Sequence, residues 1–147
     1  MFLLDTVSVS ELRKLAKGIA DPNVAAWTRK QTPSDWYISV LTIFELERGI
    51  LDLERRDVLQ GAVLRTWLNR SVIPTFAGRT LNVDSRIASR CAKLMVPNRR
   101  AFADSFIAAT AYVHGMAVVT RNVRDFEETG VPVVNPWDFR TPPSAPA

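Results

Sequence analysis

Short unbroken apolar runs alternate along this chain with longer stretches whose apolar residues recur every three or four positions. The first rhythm suits strands buried on both faces, the second amphipathic helices. Residues 1–4 (MFLL), 36–39 (WYIS), 116–120 (MAVVT) and 131–135 (VPVVN) read as strands, and 72–76 (VIPTF) as a further short one. A helix is expected over 8–18, with Ser8 or Ser10 as its cap and Gly18 as its stop. Another covers 22–31, opened by Asp21 and Pro22. Two nearly continuous helices follow over 40–56 and 57–71, then one over 83–95 and one over 102–115, closed by Gly115.

Strands separated by helices imply an α/β fold: a three-layer α/β/α sandwich around a central, mainly parallel sheet. Such sheets bind ligands at the carboxyl ends of their strands, near the point where strand order reverses. The polar residues that follow each strand are therefore the ones to inspect for chemistry. A single domain is expected over 1–140, with the proline-rich 141–147 (TPPSAPA) as a disordered tail.

Composition narrows the class. With 147 residues, 47% apolar and 23% charged, the chain has the make-up of an ordinary globule with a real core. No apolar run approaches the ~20 residues that cross a bilayer, and the start lacks the basic region of a signal peptide. A lone cysteine, Cys91, fits a reducing cytoplasm; it lies in an apolar-periodic segment and reads as a buried structural thiol. The net charge of +4 is mild, but Arg99, Arg100, Arg121 and Arg124 lie near Asp104 in sequence. They are either solvated surface charge or a rim that contacts phosphates.

Asp5 follows the first strand directly, and Glu45 lies in the helix after the second, between Phe44 and Leu46. Asp104 stands among small and apolar residues (AFADSFIAATA, 101–111), and Asn122 and Asp125 follow the strand at 116–120. Each has an unremarkable reading. Asp5 and Asp104 can cap their helices, Glu45 can pair with Arg48, and Asp125 can shape a turn. Taken together, however, separate segments deliver acidic or amide groups to one end of one sheet. Clustered carboxylates repel unless a cation intervenes, and a hard divalent ion such as Mg²⁺ or Mn²⁺ takes oxygen ligands. One histidine and one cysteine cannot build a zinc site, and His114, at a helix end, suits the C-terminal dipole better than a catalytic triad. An oxygen-only cation site with arginines nearby is suited to phosphodiester hydrolysis.

Three segments, 3–14 (LLDTVSVSELRK), 37–50 (YISVLTIFELERGI) and 102–137 (FADSFIAATAYVHGMAVVTRNVRDFEETGVPVVNPW), together resemble PIN-domain ribonucleases, in particular VapC-type toxins of type II toxin–antitoxin modules. The resemblance implies a PIN-like fold and a metal-dependent endoribonuclease. Asp5 and Asp104 would be its main ligands for Mg²⁺ or Mn²⁺, Glu45 a third acidic member, and Asn122, with Asp125 beyond it, would stand at the fourth acidic position. It also implies an RNA substrate, a homodimer, and a VapB-like antitoxin in a heterotetramer or larger complex. Two departures are evident. Val7 stands where the family usually has a bracing asparagine, leaving Thr6 and Ser8 as polar support, and Asn122 replaces a carboxylate. A PIN-like module that binds RNA or a partner without cutting is the alternative. An aspartate-nucleophile phosphatase would need an acid at position 7, and a receiver domain an acidic pair there. Trp36, Trp67 and Phe76 are candidates for an interface, with core packing the competing role.

Overall fold

The computed structural model describes residues 1–142; the rest of the tail, 143–147, lies outside the described residues. In order the elements are β1 (Phe2–Leu4), α1 (Thr6–Ala16), α2 (Pro22–Arg29), β2 (Trp36–Ser39), α3 (Val40–Arg56) and α4 (Val58–Trp67). Then come α5 (Ile73–Thr75), β3 (Thr80–Leu81), α6 (Ser85–Met95), α7 (Phe102–His114), β4 (Ala117–Val119) and β5 (Val133–Val134). The five strands form one sheet in the order β3-β2-β1-β4-β5, and every pairing is parallel. Strand order reverses between β1 and β4, so that pair marks the expected ligand edge.

Alternation along β1 sends consecutive leucines to opposite faces. Leu3 joins a core with Ile87, Cys91 and Leu94 of α6 and Ile107 to Ala109 of α7. Leu4 joins a second core with Val9, Trp27, Ile38, Leu46, Ile50, Leu68 and Phe76. Helices thus cover both faces of the sheet, the three-layer α/β/α arrangement that the alternating rhythm predicts. Small side chains at Ala108, Ala109 and Ala111, all fully buried, let α7 pack closely. It ends at Gly115, whose φ of +66° permits the left-handed cap, with Met116 N–H donating to Ala111 O at 2.9 Å. Among the described residues no helix is long and apolar enough to cross a membrane.

Most boundaries agree with the expected ones to within two residues, but the 72–76 strand does not exist. After α4 the chain widens into a π-helical turn, Leu68–Val72, and continues as α5. That turn brings Leu68 and Val72 into the core. Pro74 is tolerated because it lies in the first turn of the new segment, where no intrahelical N–H is required. A short, mostly apolar run with three β-branched members, Val72, Ile73 and Thr75, fits a buried helix as well as a strand, so periodicity does not separate them. The actual third strand, Thr80–Leu81, is two residues long and shows no rhythm of its own. Arg79 anchors it by donating to the carbonyls of Pro33 (2.7 Å), Trp36 (2.6 Å) and Thr75 (2.5 Å).

Three further expectations are corrected or resolved by packing. The cap of α1 is Asp5, not Ser8 or Ser10, so the helix begins two residues early. Trp36 and Phe76 are core residues, at 8% and 2% exposure, and Trp67 is half-buried against the same core. Cys91 is buried, and desolvation pushes its thiol pKa upward, as a structural thiol requires.

Candidate active site

The carboxyl edge of the sheet collects the polar groups. β1 runs straight into Asp5, β2 into Ser39 and β4 into Thr120, and all three residues are buried. Asp5 is only 3% exposed and fully engaged. Its Oδ1 accepts the Ser8 N–H at 2.9 Å, which caps α1, and its Oδ2 accepts the Thr120 hydroxyl at 2.6 Å. Thr120 Oγ1 in turn accepts the Asn122 N–H at 2.9 Å. The Ser8 hydroxyl lies near the same carboxylate but spends its proton on Val119 O at 2.9 Å. Capping and a place at the site are therefore not alternatives for Asp5; one oxygen serves each.

Burial raises the Asp5 pKa above the ordinary carboxylate value. The Thr120 hydroxyl and the Ser8 amide work against that rise, and the charge of Asp125 adds to it. Asp104, half-buried in the first turn of α7, behaves differently. It caps nothing, for the cap position is Ala101 and carries no side-chain bond. Its pKa is raised to about 6, first by desolvation and then by the negative charges of Asp125, Glu45 and Asp5. Each of the other three carboxylates is thus close enough to oppose its ionisation. Asp104 feels the charge of carboxylates from three other segments.

Glu45 does not pair with Arg48. It accepts the Thr6 hydroxyl at 2.5 Å, which ties α3 to the start of α1. Asp125 lies in a 3₁₀ turn, Val123–Phe126, begun by Asn122, whose carbonyl accepts the Asp125 N–H at 3.0 Å. The carboxylate that opposes Asp104 most is Asp125, three residues beyond the amide of Asn122. Val7 is 40% exposed and braces nothing; Thr6 and Ser8 supply the polar contacts around it. Among the arginines, Arg100 donates from Nε to Leu94 O at 3.1 Å and so braces the end of α6. Arg99, Arg121 and Arg124 are exposed, and Arg121 lies over the Trp137 ring. His114 is the last residue of α7, at its carbonyl end.

Sequence reasoning overlooked Thr120. The signal was present, since Thr120 follows β4 as Asp5 follows β1, but a threonine at a strand end is too common to stand out. Its fully buried hydroxyl is what holds the Asp5 carboxylate in place.

The donor set fits a hard cation: it is all oxygen, and among the described residues none of the four carboxylates has an ion-pair partner. Nor does any trio of His, Cys, Asp and Glu among those residues form a ready-made cage.

The chain belongs to the PIN domain family, whose model matches residues 3–132. Relatives place it more narrowly. A protein named VapC ribonuclease Y4jK, from Sinorhizobium fredii (strain NBRC 101917 / NGR234), is 35% identical over 94% of this chain and 99% of its own length. Toxin FitB of Neisseria gonorrhoeae (strain ATCC 700825 / FA 1090) is 35% identical over 93% of this chain and 99% of its own. The crystal structure of FitAcB from Neisseria gonorrhoeae superposes with a TM-score of 0.81 at 34% identity, covering 95% of this chain and 100% of that one. FitAB bound to an IR36 DNA fragment gives 0.80 at 33% identity, covering 96% and 99% of the two chains.

Proposed function

We propose that this protein is a Mg²⁺- or Mn²⁺-dependent endoribonuclease, the toxin of a type II toxin–antitoxin pair, acting in the cytoplasm. The observation that carries the reading is the clustering of charge from Asp125, Glu45 and Asp5 around Asp104, whose pKa is raised to about 6 first by burial and then by those three carboxylates. Such crowding destabilises a fold, so it persists where a function needs it. The names of the VapC and FitB relatives, at 35% identity over nearly the whole chain, point to the same chemistry.

In this reading Asp5 and Asp104 hold the cation and Glu45 and Asp125 complete the acidic edge. Asn122 orients solvent from the start of its turn. A bound divalent ion supplies charge neutralisation at the phosphate and a lowered pKa for the attacking water. Thr120 fixes the rotamer of Asp5, so the ligand oxygen is in place before substrate arrives. Thr6 does the same for Glu45. Arg99, Arg121 and Arg124, exposed, steer the RNA backbone, whereas Arg100 is committed to α6. The partner is a VapB-like antitoxin bound to a homodimer of this chain in a heterotetramer or larger assembly, a reading supported by the likeness to a toxin–antitoxin complex from Klebsiella pneumoniae.

Incubation of purified protein with structured RNA, with Mg²⁺, Mn²⁺ or EDTA, tests the reading. Cleavage should require the ion and vanish in Asp5→Asn and Asp104→Asn. Cleavage that survives either substitution rejects the site. A wild type inert with both ions rejects the enzyme and favours the binding module.

A further inference from the structure

Trp137 is a large aromatic residue that joins neither hydrophobic core, yet its position is fixed. It lies in the 3₁₀ turn Pro136–Asp138, its N–H donating to Asn135 Oδ1 at 3.0 Å and its carbonyl accepting Asn23 Nδ2 at 2.8 Å. Its indole is half-exposed, and the guanidinium of Arg121 lies 5.7 Å from the ring centre. The topology puts this pair at the edge that carries the carboxylates. β4 and β5 are parallel, with Val119 opposite Val134. Arg121 leaves β4 directly after Thr120, the residue that holds Asp5, and Trp137 leaves β5 at the same end. Two residues on, Lys30 lies over the ring of Phe139 at 5.9 Å, and Arg140 is exposed beyond it. The carboxylate in this run, Asp138, is engaged by the Asn135 amide at 3.1 Å.

Basic groups interleaved with aromatic rings at a fixed spacing are what single-stranded nucleic acid requires: charge for the phosphates, flat surfaces for the bases. A guanidinium 5.7 Å from the ring centre is within cation–π range of the indole and leaves room for a further planar group to slide against the ring. We propose that Arg121 and Trp137 form a stacking subsite for an unpaired RNA base next to the scissile phosphate, an inference that rests on the ribonuclease reading. Lys30 and the exposed Arg140 offer charge to the strand beyond this pair, while Phe139 itself packs against the second core. The substrate is accordingly RNA with an unpaired segment at the cut, since a base inside a duplex has no free face to offer.

The test is binding of full-length protein, in EDTA, to two labelled probes of equal length: an unstructured RNA octamer and an abasic octamer with the same phosphates. Trp137→Ala and Arg121→Lys should each weaken binding of the base-bearing probe by about tenfold and leave the abasic probe unchanged. Trp137→Phe should retain most of the affinity. Circular dichroism checks that each variant is folded, and Arg121→Lys, at an exposed position that keeps its charge, guards against a folding artefact. Equal weakening for both probes overturns the subsite in favour of simple charge attraction, and so does wild-type affinity in the variants. Loss of a co-expressed antitoxin with RNA binding intact would reassign the pair to protein docking and overturn it too. Because the probes are read without cleavage, a wild type that never cuts RNA defeats the ribonuclease reading alone. A cutting enzyme whose Trp137→Ala form keeps its KM and base-dependent affinity defeats the subsite alone.

Discussion

Helix α3 carries acids on two sides, and the protein treats them in opposite ways. Glu47 and Glu54 share one cation from α4: Arg65 donates Nη1 to Glu47 and Nη2 to Glu54, the latter at 2.8 Å. Both carboxylates raise the Arg65 pKa, as a well-matched fork should. Glu45, two residues before Glu47, instead accepts the Thr6 hydroxyl, and its charge opposes Asp104, as do those of Asp125 and Asp5. One group of acids is neutralised from within the chain; the other has no ion-pair partner among the described residues. Acidic residues alone therefore do not mark a site. The missing counter-charge does.

The sharpest way to break this contrast is a pair of substitutions. Asp104→Asn should abolish RNA cleavage, a loss beyond the roughly hundredfold seen when an outer-shell partner is removed. It should also raise the melting temperature, by about 2 °C after discounting for its half-exposure, because a repelled charge disappears. Glu47→Gln should leave cleavage near wild type and lower stability slightly, measured by the same assay and thermal melt. If both variants moved in the same direction, the two acidic groups would not differ as described.

Thr120→Val probes the internal support of Asp5. It removes the hydroxyl that donates at 2.6 Å and preserves the side-chain shape. Cation affinity and cleavage should fall by about 10–100-fold, measured as the Mn²⁺ concentration for half-maximal rate. An unchanged value would mean that Asp5 needs no brace.

On the neutralised side the limiting feature is steric. A Cβ on Gly61 would lie 2.7 Å from Glu54 Cγ and 2.8 Å from its Cα, because α3 and α4 touch there. Gly61→Ala should therefore destabilise by about 1–3 kcal/mol despite alanine's better helix propensity. Chemical denaturation would show this, with the metal dependence of cleavage unaltered.

The smallest effect is in pH. Asp104 has a folded pKa of about 6 against the ordinary aspartate value of 3.8, so the folded state binds the proton more tightly. Its contribution to stability is fully present below about pH 3.8 and is lost as pH rises through about 6. A divalent cation competes with that proton. The rise in melting temperature on adding Mg²⁺ should be larger at pH 7.5 than at pH 5, and a pH-independent rise would place the ion elsewhere.

The same contrast explains what could be read in advance. Asp5 and Asp104 stand out because a single carboxylate in an apolar neighbourhood needs a reason, and the alternating rhythm places Asp5 at a strand end. Glu47 and Glu54 gave no such signal, and Arg65, which engages them, is 11 and 18 residues away in sequence. Thr120 was missed because its partner lies 115 residues away and a threonine is unremarkable alone. The 72–76 segment was misread because local apolarity does not say whether a chain bends into a wide helical turn, which here is decided by the core around Leu68 and Val72. Local pattern reports burial; it does not report what the burial is against.

The distance in sequence between Asp5 and Asp125 has a consequence for synthesis. A ribosome must release β4 and the turn after it before the first acid can approach the last. The acidic edge is thus assembled late, by folding, and no contiguous stretch of the sequence contains it.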